Sequence, residues 1–267
     1  MTNLDDLLRV ALEATSLASE QISSRPAGHL TPKGDRDYAS EVDYQVERGV
    51  RAFLAEATPT VGFLGEEEGA SGDGSDMQWS LDPVDGIVNF THALPLCGVS
   101  LALMAGNRAV LGVIVLPFLG TRYTAVHARG AYRDGEPIHV SKTTRLPDAV
   151  VSIGDYAVGS DSGRRNLPRL AVTARLASEA LRVRMFGSVA VDLAWLAEGK
   201  TDASVTLSNR PWDTAAGAII AREAGAVVVD SDGTEHTSES RATIAAPPTL
   251  VGDIVALVRA AEKTTDR

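Results

Sequence analysis

The sequence is poor in the residues and segments that several classes of protein require. Cys97 is the only cysteine among 267 residues, which excludes an intrachain disulfide and a thiolate metal site. Acidic residues outnumber basic ones by 35 to 25, and the net charge of −10 has the wrong sign for a protein that follows a nucleic-acid backbone. The longest apolar stretch, residues 110–119, is interrupted by Gly112 and Pro117 and is too short to span a bilayer.

The composition is that of a globular protein. With 44% hydrophobic and 22% charged residues, the chain can form a substantial core. The first six residues carry neither the basic start nor the apolar run of a signal peptide, so we expect a cytoplasmic location. Neither an internal repeat nor a low-complexity linker divides the chain. We therefore expect one domain over residues 1–267, with any boundary near residue 145 being a packed junction.

Apolar spacing predicts two helices in the first sixty residues. The first covers about residues 4–22, with Thr2 or Asn3 available as its cap, and the second ends before Thr58-Pro59. Between them, residues 23–37 have the composition of a mobile polar loop.

The rest of the chain predicts a layered arrangement. Residues 61–132 are rich in strand patterns, with a hairpin connection at Ala105-Gly106-Asn107. After them helices alternate with strands, and two of these helices end at Gly199 and Gly225. This order predicts an α/β (α+β layered) fold, an αβαβα sandwich.

Five carboxylates stand in three short groups, each where an apolar, strand-like run ends. The groups contain Glu66 and Glu67, then Asp82 and Asp85, and finally Asp213. Acids at three such junctions can converge after folding, and converging carboxylates repel one another unless a cation lies between them. Carboxylate and carbonyl oxygens are the ligands of hard divalent ions, so the pattern predicts a Mg²⁺ site.

Each group also has an ordinary interpretation. Asp-Pro and Asp-Gly are common turn dipeptides, an acidic triplet is usually solvated surface, and one Asp before an Ala-rich helix is usually an N-cap. The presence of all three groups in one chain favours the metal site. If a helix begins after Gly86, the amides of Gly86 and Ile87 would form an anion site suited to phosphate.

With their neighbours, the three groups resemble the signatures of the inositol monophosphatase family, which are lithium-sensitive, Mg²⁺-dependent sugar phosphatases. The likeness lies in Gly65-Glu66-Glu67, in Trp79-x-x-Asp82-Pro83-Val84-Asp85-Gly86-x-x-Asn89-Phe90-x-His92-x-x-Pro95 and in Trp212-Asp213-x-Ala215-x-Gly217. It runs in order from the Lys33 loop to about residue 245. The resemblance implies the sandwich of the inositol monophosphatase and fructose-1,6-bisphosphatase type, phosphomonoesterase activity, and commonly a homodimer.

The resemblance also implies a role for individual residues. Two to three Mg²⁺ ions would be held by Glu66, Asp82, the Val84 carbonyl, Asp85 and Asp213. Asp43 would orient the attacking water, with Glu66 as the second catalytic residue. The substrate would be bound by Asp85, Gly86, Ile87, Gly187, Ser188, Val189 and Asp213, the amides of Gly86 and Ile87 taking its phosphate. Lys33 falls in the family's mobile active-site loop, although an ordinary surface role suits it equally.

Two positions depart from the family pattern. The family has a threonine where this chain has Ile87, and its hydroxyl shares the attacking water with the acid matched by Asp43. General-base positioning contributes a factor of roughly 10²–10⁴, so turnover is expected to fall unless Glu66 or Asp43 holds the water alone. Where the family has an acid that binds the substrate hydroxyls, this chain has Thr206. With Arg210 nearby, the rim of the predicted substrate site is neutral to basic, which weakens the case for inositol as the substrate.

The leading hypothesis is hydrolysis of a small polyol or sugar phosphate, with inositol 1-phosphate the first candidate, through metal-activated water. Histidinol phosphate, fructose 1,6-bisphosphate and 3′-phosphoadenosine nucleotides remain alternatives. No Cys-x₅-Arg or Gly-x-Ser-x-Gly pattern suggests a side-chain nucleophile. A hypothesis of another class is a low-turnover, metal-binding regulatory protein. Ile87 supports that second hypothesis, and the retention of all the metal-site acids argues against it.

Overall fold

The computed structural model describes residues 3–72 and 76–265, and over these residues helices alternate with sheets. The helices are α1 (Leu4–Ser24), α2 (Glu41–Ala57), α3 (Ile87–Thr91), α4 (Ser162–Glu179), α5 (Val189–Ala197), α6 (Pro211–Glu223) and α7 (Val251–Thr265). The strands are β1 (Leu30–Gly34), β2 (Asp37–Ser40), β3 (Gly62–Gly65), β4 (Gly69–Ser71), β5 (Met77–Asp85), β6 (Gly98–Ala105), β7 (Arg108–Leu116), β8 (Thr121–Val126), β9 (Ala131–Arg133), β10 (Glu136–Ile138), β11 (Val150–Ile153), β12 (Arg182–Arg184), β13 (Ala203–Thr206), β14 (Val227–Val229) and β15 (Thr243–Ala246).

The larger sheet has the strand order β10-β9-β8-β7-β6-β5-β3-β4, and only β3 and β5 pair in parallel among its described strands. Its two faces follow the period of two along each strand. Leu101 and Leu103 of β6 face α1 and α2, whereas Ala102 and Met104 face α5 and α6. The sheet is therefore covered by helices on both sides.

The smaller sheet has the order β12-β11-β13-β15-β14 and is covered in the same way. Val151 and Val205 pack with residues of α4 and α7 on one face. On the other face, Val228 and Ala245 pack with Leu193 and Ala218 of the helix pair that also covers the larger sheet. The layers run α1/α2, sheet, α5/α6, sheet, α4/α7, which confirms the predicted αβαβα sandwich.

The main difference from the sequence expectation lies between α1 and α2. Residues 23–37 were expected to form a polar loop, but β1 and β2 form an antiparallel hairpin that pairs Leu30 with Ser40. Every residue of β1 is exposed, so the segment has no buried alternate face that would have produced a strand pattern. Asn3 caps α1 by accepting from the Asp5 amide, while Thr2, the other candidate cap, lies outside the described residues.

The chain crosses from the larger to the smaller sheet between β10 and β11. Leu146 and Ala149 are buried in this connection and belong to the core of the smaller sheet. The assignment of residues 1–267 to one domain stays a prediction. In the described part of the chain, no helix combines the length and the apolar character needed to cross a membrane.

Candidate active site

Three of the predicted acids meet at one edge of the larger sheet. Gly65 of β3 pairs with Leu81 of the parallel strand β5, so the residues that follow them, Glu66 and Asp82, emerge at the same edge. Asp213 reaches this edge from the first turn of α6. One carboxylate oxygen each from Glu66, Asp82 and Asp213 lies within 4.8 Å of the others.

Close packing of α6 on the sheet holds Asp213 at this edge. A Cβ atom at Gly112 of β7 would lie 2.7 Å from the Ala216 carbonyl oxygen, so the helix approaches the strand where no side chain intervenes. At the beginning of the helix, the Ser100 hydroxyl of β6 donates to the Trp212 carbonyl at 3.0 Å. The helix end that carries Asp213 is thereby fixed to the strand next to β5.

Asp85 also lies at this edge, but it is oriented by a different element. Asp82 pairs with Ser100 and Asp85 with Gly98, so β5 has one more residue than β6 between these pairs. Such a bulge turns the strand and re-aims a side chain. The Oδ2 atom of Asp85 accepts from the Ser188 hydroxyl at 2.7 Å and from the Ala190 amide at the start of α5.

The acids raise one another's pKa values. Burial is the largest cause of the raised pKa of Asp82, and the charges of Glu66, Asp85 and Asp213 raise it further. Burial also raises the pKa of the Asp213 carboxyl, although part of this residue reaches the surface. For Asp85, burial outweighs the hydrogen bonds from Ser188 and Ala190 and raises the pKa to about 6.

This donor set fits a hard divalent cation. Its ligating atoms are carboxylate oxygens, and the mutual repulsion that raises their pKa values is relieved by positive charge among them. Val84 lies between two of the acids, and its amide donates to Asp82 Oδ1 at 3.0 Å. Glu66, Asp82 and Asp213 are therefore residues that could hold a metal here, whereas Asp85 and the Val84 carbonyl stay predicted ligands.

Two basic side chains approach the acids. Lys33 of β1 donates from Nζ to Glu66 Oε1 at 2.8 Å and to Glu67 Oε1 at 2.9 Å. Burial lowers the pKa of Lys33, but these two carboxylates raise it above its ordinary value. Burial raises the pKa of Glu67 to about 7 despite the ammonium group beside it. Arg210 approaches from the other side, with a nitrogen 3.8 Å from Glu66 Oε1.

Asp43 lies in the first turn of α2 and is almost fully buried. Ser40 and Asp43 form a capping box, in which Asp43 Oδ2 accepts from the Ser40 amide at 3.0 Å and from the Ser40 hydroxyl. Burial is the main cause of the rise in the pKa of Asp43 to about 6, and the charge of Glu66 contributes. Asp43 is therefore close enough to Glu66 for the two charges to interact.

Helix α3 begins directly after Gly86, as the phosphate-site hypothesis required. Gly86 has φ 90°, and a Cβ atom there would lie 2.9 Å from the Leu96 carbonyl oxygen and 3.1 Å from that of Gly187. Only glycine suits this position. Ile87 is the first residue of the helix, and its side chain packs against the core formed with α1 and α2.

The remaining predicted substrate residues lie beside this turn. Gly187 precedes Ser188, which caps α5 by accepting from the Val191 amide at 3.2 Å, and Val189 is the first residue of that helix. Asn89 holds the segment in place because its Nδ2 atom donates to the carbonyls of Leu96 and Phe186. The Asp-Gly turn and the beginning of α5 are thus joined.

Sequence reasoning gave no role to two residues that shape the site. Asn89 stands inside the quoted motif, and its amide group is the link just described. Glu47 lies one helical turn after Asp43, and its buried carboxylate contacts the Glu66-Glu67-Glu68 turn. The spacing of four residues on a helix that carries Asp43 was the available signal for Glu47.

Comparisons with known proteins agree along almost the entire chain. The profile of the inositol monophosphatase family matches residues 3–263. An inositol-1-monophosphatase, ImpA, of Mycolicibacterium smegmatis is 34% identical over 98% of this chain and 97% of its own. A fructose-1,6-bisphosphatase/inositol-1-monophosphatase of Aquifex aeolicus is 33% identical over 85% and 86%. The crystal structure of the extragenic suppressor protein suhB of Bartonella henselae superimposes with a TM-score of 0.88 at 29% identity, covering 95% of this chain and 98% of that one.

Proposed function

Because this chain belongs to the inositol monophosphatase family and is a phosphoric monoester hydrolase, we propose that it hydrolyses a small polyol or sugar phosphate with Mg²⁺. Inositol 1-phosphate is the first candidate substrate. The observation that carries the proposal is the approach of carboxylate oxygens from Glu66, Asp82 and Asp213 to within 4.8 Å of one another. A phosphate monoester carries two negative charges near neutral pH, so this acidic centre needs cations to bind it.

Glu66, Asp82, Asp85, Asp213 and the Val84 carbonyl would hold two to three Mg²⁺ ions. When bound, the metal supplies a water of lowered pKa and positive charge for the attacking and leaving oxygens. The Oδ2 atom of Asp85 is occupied by Ser188 and Ala190, so its other oxygen is the one we assign to the metal. These bonds would also keep Asp85 from turning away when the substrate leaves.

Asp43 and Glu66 would orient the attacking water and accept its proton. At position 87 the side chain is apolar, and the hydroxyl that does lie beside Asp43 belongs to Ser40. Ser40 donates that hydroxyl to Asp43 Oδ2, so it secures the carboxylate rather than replacing the family threonine at the water. We therefore retain the expectation that Ile87 lowers turnover.

The phosphate would be bound by the amides of Gly86 and Ile87 at the beginning of α3. The hydroxyls of the substrate would face Gly187, Ser188 and Val189, with Asp85 and Asp213 nearby. Because these groups lie on two helices joined by Asn89, the phosphate and the polyol would be held in one fixed orientation.

A second candidate substrate is fructose 1,6-bisphosphate. Arg210 has a half-exposed side chain close to Glu66, and position 206 carries a threonine in place of an acid. A basic rim suits a second anionic group better than it suits a neutral hydroxyl. The name of the Aquifex relative includes this activity, and the rim of the present chain is the reason to test it here.

We also propose a homodimer, as is common in the family. Apolar side chains of Val88, Leu94, Phe118 and Leu119 are exposed, and Phe118 stacks on Phe90 of α3 with 6.2 Å between the ring centres. Analytical ultracentrifugation of the wild type and of Phe118→Ser would test whether this surface joins two copies. A cytoplasmic location stays a prediction.

Phosphate release from a panel of monoesters tests the proposal. The panel contains inositol 1-phosphate, fructose 1,6-bisphosphate, histidinol phosphate and 3′-phosphoadenosine 5′-phosphate, with Mg²⁺ and with Asp85→Asn as the blank. We expect wild-type protein to exceed the blank on at least one substrate. Wild-type rates equal to the blank on all four would contradict the catalytic proposal and favour a regulatory role.

A further inference from the structure

Glu47 is a buried acid beneath the turn that carries Glu66. Its carboxylate is 0% exposed. Oε2 accepts from the Glu67 amide at 2.7 Å, and Oε1 accepts from the Glu68 amide at 2.9 Å. One side chain of α2 therefore satisfies two consecutive backbone donors of the turn, and charge-assisted bonds of this kind are stronger than neutral ones.

Gly65 and Glu47 are matched in shape. A Cβ atom on Gly65 would lie 2.3 Å from the Glu47 carboxylate carbon and 2.3 Å from its Oε1. No side chain atom can occupy that position unless the carboxylate moves. The acid on α2 thus fills the space that glycine leaves at the beginning of the turn.

Arg51 balances the charge of Glu47 and also binds the residues that follow the turn. Its guanidinium donates to Glu47 Oε1 at 2.6 Å and to the Gly69 carbonyl at 3.0 Å. The same group donates to the Ser71 hydroxyl at 2.7 Å and lies over the Phe63 ring, 4.5 Å from its centre. Residues before and after Glu66 are therefore linked through one ion pair, in which Glu47 is fully buried and Arg51 is partly exposed.

Glu47 and Asp43 lie four residues apart, on the same face of α2. One residue would orient the attacking water and the other holds the turn that carries Glu66. The relative position of Asp43 and Glu66 is then set by a single helix.

We propose that Glu47 is a positioning residue for the metal centre: it fixes the Gly65-Glu66-Glu67-Glu68 turn to α2 and so holds the Glu66 carboxylate among Asp82 and Asp213. The proposal rests on the proposed metal-dependent function. Partners behind the metal ligands typically contribute about 10–100-fold in metal affinity or activity. Loss of the Glu47 acceptor is expected to act through metal affinity.

The test is direct binding of Mn²⁺, a paramagnetic stand-in for Mg²⁺, measured from the electron paramagnetic resonance signal of the free ion. In Glu47→Gln an NH₂ group replaces one acceptor oxygen and faces a backbone N–H or Arg51, so we expect the Mn²⁺ Kd to rise about 10-fold or more. Glu47→Asp keeps the charge and both oxygens but withdraws them from the turn by one methylene. Its Mn²⁺ Kd is expected to lie between those of Glu47→Gln and the wild type. If Glu47→Gln does not fold, Glu47→Asp alone tests the inference.

Two controls separate positioning from stability. Glu68→Gln makes the same chemical change at the outer side of the turn, where the carboxylate contacts exposed Arg48, and should alter the Mn²⁺ Kd less than twofold. Thr58→Val removes buried hydrogen bonds to Leu54 and Trp79 near the other end of α2, and should lower the Tm without changing the Mn²⁺ Kd. A Mn²⁺ Kd of Glu47→Gln within twofold of the wild type, or an equal rise in Thr58→Val, would overturn the inference. Absence of Mn²⁺ binding by the wild type would overturn the proposed metal function as well.

Discussion

The edge of the larger sheet carries the acidic centre and the connection from β13 to α6 borders it, and the two are built differently. At the sheet edge, Asp82 and Asp85 are buried and are fixed by strand register, a bulge and bonds to α5. The connection ends at Arg210, whose guanidinium is half exposed, just before the helix that carries Asp213. From this difference we expect substitutions at the edge to change the rate of the reaction and substitutions in the connection to change which substrate is accepted.

The largest effect is expected from the sheet edge. Asp82→Asn removes a carboxylate that interacts with the charges of four others, and with it the site's attraction for the metal. Metal charge contributes several kcal/mol to a phosphoryl-transfer transition state, so kcat/KM should fall by about 10³-fold or more. Steady-state phosphate release measures this. A loss below tenfold would show that the edge does not determine the reaction.

The single departure at this edge provides a gain-of-function test. Ile87→Thr restores the hydroxyl of the family pattern beside the attacking water. We expect kcat to rise by roughly 10²-fold with KM nearly unchanged, because positioning a water acts on the chemical step. Ile87→Val, which removes a methylene without adding a hydroxyl, is the control. An unchanged or lower kcat would mean that Asp43 and Glu66 already suffice.

The connection should affect the choice of substrate rather than the reaction. Arg210→Gln removes the positive charge at the rim, and a hydrogen bond to a charged group contributes about 1.5–3 kcal/mol. We therefore expect the ratio of kcat/KM for fructose 1,6-bisphosphate to that for inositol 1-phosphate to fall about tenfold. Arg48→Gln, on the outer side of the Glu66 turn, should leave the ratio unchanged. Equal losses on both substrates would assign Arg210 to the reaction itself.

A smaller effect concerns stability and pH. The pKa values of Asp43 and Asp85 are raised to about 6 and that of Glu67 to about 7, so the metal-free folded state binds more protons than the unfolded state between about pH 4 and 7. The free energy of unfolding should therefore fall by a few kcal/mol, to order of magnitude, as the pH rises through this window.

Urea unfolding with a chelator at several pH values measures this slope. Added Mg²⁺ favours the ionised carboxylates and should flatten or reverse it. Asp85→Asn removes one of the titrating groups and should reduce it. If neither Mg²⁺ nor this substitution changes the dependence of the free energy of unfolding on pH, groups elsewhere in the protein cause that dependence.

Local patterns were sufficient to predict the layers of the fold. Continuous, mostly apolar runs produce the central strands β6 and β7, which are buried on both faces, and Gly199 and Gly225 follow the ends of α5 and α6. The hairpin of β1 and β2 was missed because every residue of β1 is exposed and β2 is only four residues long, so neither shows an alternating apolar pattern. It matters for the site, since it brings Lys33 to Glu66 and Glu67.

The acids of the site could be found because strand ends are visible in a sequence. The orientations of their side chains could not be predicted, because they depend on contacts between distant residues. The Oδ2 bond of Asp85 depends on a bulge in β5 and on Ser188, which is 103 residues away. Glu47 was missed because an acid on a helix ordinarily belongs to its solvent face, where a pair with Arg51 one turn later is common. Its burial depends on Gly65 of β3, and neither helical spacing shows that contact.

We propose that the acids at the sheet edge form a metal-dependent phosphatase centre. The most direct test is the rate of phosphate release from inositol 1-phosphate and fructose 1,6-bisphosphate as a function of Mg²⁺ concentration, for the wild type and Asp213→Asn. The claim predicts negligible wild-type rates without Mg²⁺, saturation as Mg²⁺ is added, and loss of that saturable rate in the variant. Wild-type release that is independent of Mg²⁺, or an Asp213→Asn curve that overlays the wild type, would contradict it.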